Sequence, residues 1–340
     1  MAKLRAMIIG PGGAGTAVMK VMHSDGRAEP VAFVEKNPKR REELAAEYPS
    51  AIIGDENSHL KVIEEASPDI VVDAGPDHLH GQNAVMALEH GCHVLIEKPM
   101  TTSLADAKAI LAAEKKAGKI VTVDYTMRYS HPWGTVMQAA KAGMVGTIFY
   151  LGGFYVHDMW DYYNAGGSEY TPWRSDPQHP QNILFGGGVH PLDMILYIME
   201  DIPVTQAYCA GNQLAESGMP MEDLFVVTMT FANGVVAKLL VSSGVSGWDF
   251  GQMLEVYGKD GSLYEGTLYR RWKDPYELPE PETVGIGHGW NRTVVDFLDA
   301  IDGVKDNWMH SVYGARNVSI CDAAMKSLAS GEVAQVEWFA

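Results

Sequence analysis

Through the first third of the chain, short apolar runs alternate with helical stretches. Leu4–Ile9 is an apolar run, and the residues from Ala14 to Met22 carry a helical pattern. Val31–Val34 precedes a helical segment from Pro38 to Tyr48 that is rich in Glu, Lys, Arg and Ala. Ala51–Ile53 and His59–Glu65 repeat the alternation, as do Ile70–Asp73 and Gln82–His90. Val94–Ile96 and Leu104–Lys116 follow, and Ile120–Val123 predicts a sixth strand. Strands without polar alternation are buried on both faces. Separated by helices, they predict a parallel sheet covered on each side, with ligands bound at the carboxyl ends of the strands.

The pattern changes near Tyr125. After a helix around Trp133–Ala142, longer strand-like runs take over: Ile148–Val156, Val204–Ala210, Leu224–Phe231, Val235–Ser242 and Met253–Tyr257. Asn233-Gly234 between two such runs is a strong signal for a two-residue hairpin turn, and Lys259-Asp260-Gly261 marks another. Helices are expected at Pro191–Met199, Asn291–Asp302 and Ala315–Ala329, and a surface loop at Pro275–Pro281. The predicted class is therefore α/β. A doubly wound Rossmann domain over residues 1–125 precedes an α+β domain over residues 126–340 with a large, mainly antiparallel open sheet. Leu224–Phe231 and Val235–Ser242 are apolar on both parities. A sheet with two apolar faces needs two covers, so a homodimer or homotetramer is expected.

Composition narrows the function. A chain of 340 residues has room for two domains, and 46% hydrophobic with 20% charged residues is ordinary for a globular protein. The net charge of −17, with no long basic run, argues against nucleic-acid and anionic-membrane partners. Cys92, Cys209 and Cys321 are far apart and lack metal-ligand spacing, so reduced thiols and no metal are expected. The chain enters a strand within three residues, which leaves no room for a signal peptide. A cytoplasmic location is the resulting expectation.

Between the first apolar run and the first helix lies Gly10-Pro11-Gly12-Gly13-Ala14-Gly15, a G-x-G-x-x-G loop. Gly10 permits the tight turn, Gly12 lets the backbone approach a pyrophosphate, and Gly15 allows close helix–strand packing. Gly13 and Ala14 complete the anion-facing backbone at the helix N-terminus. Glu35 ends the second run, 20 residues past Gly15. There an acid grips the adenosine ribose and repels a 2′-phosphate, which favours NAD, with NADP as the alternative because Lys36, Arg40 and Arg41 lie nearby. The loop Gly75-Pro76-Asp77-His78-Leu79-His80 follows the fourth run, so Pro76 is a candidate for the nicotinamide half and the histidines His78 and His80 are candidates for contact with cofactor or substrate. Asp77 reads equally well as a helix cap.

Glu97-Lys98-Pro99 follows the fifth run and places a carboxylate and a cation at the same sheet edge. In the second half, Tyr155 and His157 lie in an aromatic and polar stretch that continues through Asp158-Met159-Trp160-Asp161-Tyr162-Tyr163. Such stretches suit sugar and cyclic-polyol pockets, and a partly buried loop is an equal reading. Trp173 and Arg174 are further candidates for substrate contact. Arg174 suits a carboxylate or a structural acid.

Taken with Arg128 and with Trp173-Arg174-Ser175-Asp176-Pro177 leading to Gly188-Val189-His190-Pro191-Leu192-Asp193, these motifs resemble the Gfo/Idh/MocA oxidoreductases. The resemblance covers nearly the whole chain. It implies an NAD(P)-dependent dehydrogenase or reductase acting on the CH–OH group of a sugar, cyclic polyol or related compound. By position, Lys98 orients the substrate oxygen and His190 acts as acid/base, while Glu97 and Arg128 join the cofactor set. Many relatives carry an aspartate four residues before the histidine, where this chain has Gly186. Either Lys98 and His190 suffice, or Asp193 or His157 substitutes for it, or Asp193 orients His190. The departure also keeps open an alternative: an NAD-dependent glycoside hydrolase or lyase working by transient oxidation and elimination, without net cofactor turnover.

Overall fold

A computed structural model describes residues 3–247, 251–281, 285 and 289–340, with only the backbone given for 251–253. The chain folds as two compact units. The first comprises residues 1–125 and 285–315, and the second residues 126–284 and 316–340. The division at Tyr125 falls where the pattern changes, but a single cut does not describe the chain, because residues 285–315 return to the first unit.

The first unit begins β1 (Leu4–Ile9), α1 (Gly13–Asp25), β2 (Ala28–Val34), α2 (Pro38–Glu47) and β3 (Ile52–Gly54). It continues α3 (His59–Ala66), β4 (Ile70–Asp73), α4 (His80–Glu89), β5 (His93–Ile96), α5 (Leu104–Ala117) and β6 (Val121–Val123). All six strands pair in parallel in the order β3-β2-β1-β4-β5-β6. The order reverses between β2-β1 and β4-β5, which creates a crevice beyond the carboxyl ends of β1 and β4. Local chemistry sets the helix ends. Asn37 caps α2 by accepting from Lys39 N, with Pro38 in the first turn, and Ser103 caps α5 by accepting from Asp106 N. Gly118 closes α5 in the left-handed conformation.

The second unit contains α6 (Trp133–Lys141), β7 (Ile148–Val156), α7 (Trp160–Tyr163), α8 (Ile183–Gly186), α9 (Val189–Met199), β8 (Val204–Asn212), β9 (Leu224–Phe231) and β10 (Val236–Ser242). The strands β11 (Gly251–Gly258), β12 (Ser262–Tyr264), β13 (Thr267–Tyr269) and β14 (Tyr276–Glu277) follow. The chain ends with α10 (Trp290–Ile301), α11 (Ser311–Ser330) and β15 (Ala334–Gln335). Nine strands form one sheet in the order β14-β13-β12-β11-β7-β10-β9-β8-β15. It is antiparallel except for β7 and β10, which pair in parallel at its centre. The segment read as a surface loop, Pro275–Pro281, contains β14, a two-residue edge strand.

The returning segment explains the discontinuous first unit. α10 is strongly amphipathic, and its Val294, Phe297 and Leu298 are buried with Val18, Met19 and Met22 of α1 and Ala6 and Ile8 of β1. These apolar side chains complete the Rossmann core on one face. In the second unit, α9 is buried along almost its whole length. Its Pro191 and Ile195 lie against Gly153 of β7, whose missing side chain admits the helix.

Candidate active site

In the first unit the glycine loop is built as an anion cradle. Gly10 has φ +69°, and a Cβ there would stand 2.6 Å from the Ala74 carbonyl oxygen, so only glycine fits the turn from β1 to α1, against the loop after β4. Gly12 is the N-cap of α1 with no side-chain cap, and added Cβ atoms at Gly12 and Gly13 would meet open space. The N–H groups at the start of α1 therefore face an open approach, which fits a dinucleotide pyrophosphate. Glu35 follows β2 half-buried, its Oε1 accepting from Asn37 N at 2.7 Å. Arg40 leans over the glycine loop, Nε donating to the Pro11 carbonyl at 3.3 Å. Arg41 is occupied by the carbonyls of Glu35 and Lys36.

Two further loops lie at the same sheet edge. After β4, Gly75 N donates to Asp73 Oδ1 at 3.1 Å, and Pro76 leads into a short 3-10 turn, Asp77–Leu79, that carries His78. Asp77 is the first residue of that turn rather than its N-cap, which is Pro76, and the N-cap of α4 is Leu79. After β5, Glu97 Oε2 accepts from Lys98 N and Oε1 from Trp290 Nε1, each at 3.1 Å. The Lys98–Pro99 peptide is cis.

Two buried groups stand here, one a histidine of the loop after β4 and the other a residue that sequence reasoning missed. His80 is fully buried, with Nδ1 2.7 Å from the Pro99 carbonyl and Nε2 3.1 Å from the Gly75 carbonyl. Carbonyls only accept, so each ring nitrogen bonds its carbonyl only while it carries a proton, and the imidazolium form satisfies both and ties the two loops together. Burial opposes that charge, but Asp73, Asp77 and the two carbonyls outweigh it and hold the His80 pKa above the ordinary histidine value. The other group is Asp124, just past β6 and 1% exposed. Burial first, and then the neighbouring Glu97 carboxylate, push its pKa well above the usual range. An acid directly after a buried apolar strand was the available signal for Asp124.

The second unit gathers the remaining candidates. His190 sits in the first turn of α9, 6% exposed, with its ring stacked on Tyr155 at 6.3 Å between centroids. Tyr155 stacks on His157 at 6.0 Å, and His157 meets Tyr162 edge-on at 5.9 Å. The Arg174 guanidinium lies 4.7 Å from the Trp173 ring and 5.9 Å from Tyr162. Its Nη1 donates to Gln181 Oε1. Gly186 and Gly187 make this possible. A Cβ at Gly187 would enter the Tyr155 ring, and one at Gly186 would stand 2.7 Å from Gln181 Nε2. An aspartate at position 186 would therefore collide with Gln181.

Arg128 and Asp193 were expected at the cofactor and at the substrate or His190, respectively. The structure instead joins them to each other. Both side chains are fully buried, and Arg128 Nε and Nη2 donate to the two Asp193 carboxylate oxygens at 2.6 and 2.7 Å. The guanidinium also lies 4.6 Å from the Tyr197 ring. Burial presses Asp193 toward its neutral form, and Arg128 opposes that shift. With both oxygens taken, Asp193 fastens α9 to the segment after β6.

Residues 4–125 match the oxidoreductase family described by its NAD-binding Rossmann fold, and residues 133–264 match the C-terminal domain of the same family. The chain belongs to the GFO/IDH/MocA oxidoreductase family. Its first unit is accordingly an NAD-binding Rossmann domain. It is 28% identical to 1-carboxy-3-chloro-3,4-dihydroxycyclohexa-1,5-diene dehydrogenase of Comamonas testosteroni, over 70% of this chain and 58% of that protein, so the match spans little more than half of that relative. It is 24% identical to levoglucosan dehydrogenase of Pseudarthrobacter phenanthrenivorans, over 88% of this chain and 90% of that one. A crystal structure of levoglucosan dehydrogenase with NADH superposes with a TM-score of 0.82 at 20% identity, covering 99% of this chain and all of that one. The WlbA dehydrogenase of Bordetella pertussis, solved with NADH and UDP-GlcNAcA, gives the same TM-score, identity and coverage. At such identities these structures speak for the fold alone. No helix among the described residues is long and apolar enough to cross a membrane.

Proposed function

We propose that the chain is an NAD-dependent dehydrogenase or reductase that moves a hydride between nicotinamide and a hydroxyl or carbonyl carbon of a sugar, cyclic polyol or related compound. The observation that carries this reading is the ring stack of His190, Tyr155 and His157, supplied by a chain whose other unit has an anion cradle at an uncapped helix terminus. Bound nicotinamide would supply the hydride acceptor or donor. Gly10, Gly12, Gly13, Ala14 and Gly15 would hold the pyrophosphate and Glu35 the ribose, which favours NAD over NADP through like-charge repulsion of a 2′-phosphate. Pro76, His78, Glu97 and Lys98 are assigned to the nicotinamide half.

His190 takes the hydroxyl proton in oxidation and returns it in reduction, and Lys98 orients the oxygen. The aromatic faces of Tyr155 and Trp173 suit the C–H surfaces of a saturated ring, and His157 offers a polar edge beside them. The relatives named above are dehydrogenases, which supports net hydride transfer over the lyase alternative. The test is a panel of sugars, polyols and sugar acids with NAD and NADP, followed at the NADH absorbance band and by product analysis. NADH formation matched by an oxidised product is expected. Product without any spectral change would defeat the reading.

The same proposal extends to assembly as a homodimer or homotetramer in the cytoplasm. Along β9, Phe225, Val227, Met229 and Phe231 are buried while Leu224 and Val226 of the opposite face are less so. Those outward apolar positions support pairing with a second copy. Light scattering checks it, and a stable monomer at micromolar concentration would refute it. The three cysteines, all buried and unpaired, support a reducing compartment.

A further inference from the structure

The substrate half contains a cation whose situation differs from that of the other strongly engaged arginines. Arg27 pairs with Asp25, Asp299 and Asp302, Arg128 with Asp193, and Arg316 with Asp201. Among the described residues Arg174 has no acidic partner. Its Nη1 donates to the neutral amide of Gln181, and its Nε–H is buried without a hydrogen-bond acceptor. The guanidinium is held between the Trp173 and Tyr162 rings. Tyr162 is in turn linked through His157 and Tyr155 to His190. A buried donor left unmatched is costly, on the order of 1–3 kcal/mol, and more for a charged group.

We propose that the substrate is a sugar or polyol carrying a carboxylate, and that Arg174 is the residue that selects it. This rests on the dehydrogenase reading above and names its substrate class. With Nη1 occupied by Gln181, the side edge formed by Nε and Nη2 is the one that matches a planar carboxylate in two parallel hydrogen bonds. The stacked rings hold that edge in place, so little side-chain entropy is lost on binding. Gly186 belongs to the same device. An aspartate there would bring the protein's own carboxylate against Gln181, beside the guanidinium, as a competitor for its charge. In this chain Gln181 occupies that space and leaves the cation's charge uncompensated. One permanent positive charge, in a chain of net charge −17, suits a monoanion better than a phosphate dianion.

The experiment is calorimetric titration of the NADH-loaded protein with matched pairs: D-glucuronate against D-glucose, and D-gluconate against D-glucitol, with D-glucose 6-phosphate as a separate arm. A charge-assisted pair is worth roughly tenfold to a hundredfold in affinity. At least one acid is expected to bind that much more tightly than its neutral partner. Arg174→Gln should collapse the acid-to-neutral ratio to near one, and Arg174→Lys should restore only part of it. If Arg174→Gln does not fold, the Lys variant and the loss of acid affinity with added NaCl, absent for the neutral partner, serve in its place. Equal binding of acids and their neutral partners overturns the inference, as does an unchanged ratio in the variants or a preference for the phosphate. Loss of the dehydrogenase reading looks different: Arg174-dependent acid binding with no oxidised product and no NADH formed from NAD.

Discussion

The two units present different kinds of recognition surface. The first offers main-chain groups: the N–H donors at the start of α1, the turn at Gly10, and loops whose side chains mostly satisfy one another. The second offers side chains: a run of rings from His190 to Trp173, opened by two glycines that a Cβ would obstruct. Backbone recognition suits a cofactor that never changes. Side-chain recognition suits a substrate that differs from one family member to the next. The difference predicts that damage to the glycine loop and damage to the ring stack have distinct kinetic signatures, cofactor binding in one and turnover in the other.

The largest effects are expected from the two residues assigned to the reacting oxygen. Lys98→Met and His190→Ala should each lower kcat by roughly 100- to 10,000-fold, the usual contribution of a general acid or base. Cofactor affinity by calorimetry should stay within severalfold of wild type, because the glycine loop and Glu35 are untouched. A His190→Ala enzyme with near-normal kcat across pH would move the assignment to Lys98 alone. Loss of NAD binding in that variant would make His190 structural and erase the contrast between the units.

A pair of glycine substitutions sharpens the same contrast at smaller scale. Gly10→Ala forces a left-handed residue against the Ala74 carbonyl, at a cost of about 1–2 kcal/mol for the conformation alone. Gly187→Ala drives a methyl group into the Tyr155 ring, an overpacking cost of about 1–3 kcal/mol. Thermal melts should show both losses. Steady-state kinetics should separate them, with Gly10→Ala raising KM for NAD and Gly187→Ala lowering turnover while KM for NAD holds. Identical kinetic profiles would show that the division of labour is wrong.

Glu35→Ala is expected to act more mildly. Removing one like charge near a 2′-phosphate is worth about 1 kcal/mol in a solvated site, so the preference for NAD over NADP should narrow by several-fold to tenfold. Comparative calorimetry reads it directly. An unchanged ratio would show that the Glu35 charge does not set the preference.

The sequence made these two surfaces legible to different degrees. The Rossmann unit announces itself locally, because every strand, glycine and terminal acid lies within a short stretch of chain and its spacing is set by backbone geometry. The exception is α10, whose apolar stripe completes the first core from residues far down the chain; periodicity shows the stripe but not its partner. In the second unit, Tyr155, His157, Trp173, Arg174 and His190 are visible as candidates. What pairing each makes depends on which side chains the sheet and α9 bring together. Arg128 and Asp193 look like site residues for that reason, since a charged residue in a motif reads the same whether it faces a ligand or a buried partner. Gln181 carried no signal at all until its amide proved to fill the space beside Gly186.

The finest test concerns His80, whose role the sequence could not suggest. Its folded pKa is raised above the ordinary value near 6.5, so its contribution to stability is fully present below that value and is lost as pH rises through the folded pKa. Above it, the ring gives up one proton, and one nitrogen lone pair then faces a carbonyl oxygen, either Pro99 or Gly75. The neighbouring Asp73 and Asp77 keep that transition above the ordinary histidine value. His80→Gln can donate to one carbonyl but lacks the ring's two opposed donors. Its melting temperature should sit a few degrees below wild type at about pH 6 and converge on it as pH rises, at roughly 2–4 °C for each kcal/mol. Nitrogen-15 NMR of labelled histidine should show both ring nitrogens of His80 protonated at about pH 6 in the wild-type protein. A neutral His80 at that pH, or parallel melting curves for the two proteins, would mean that the loops after β4 and β5 are held together without this charge.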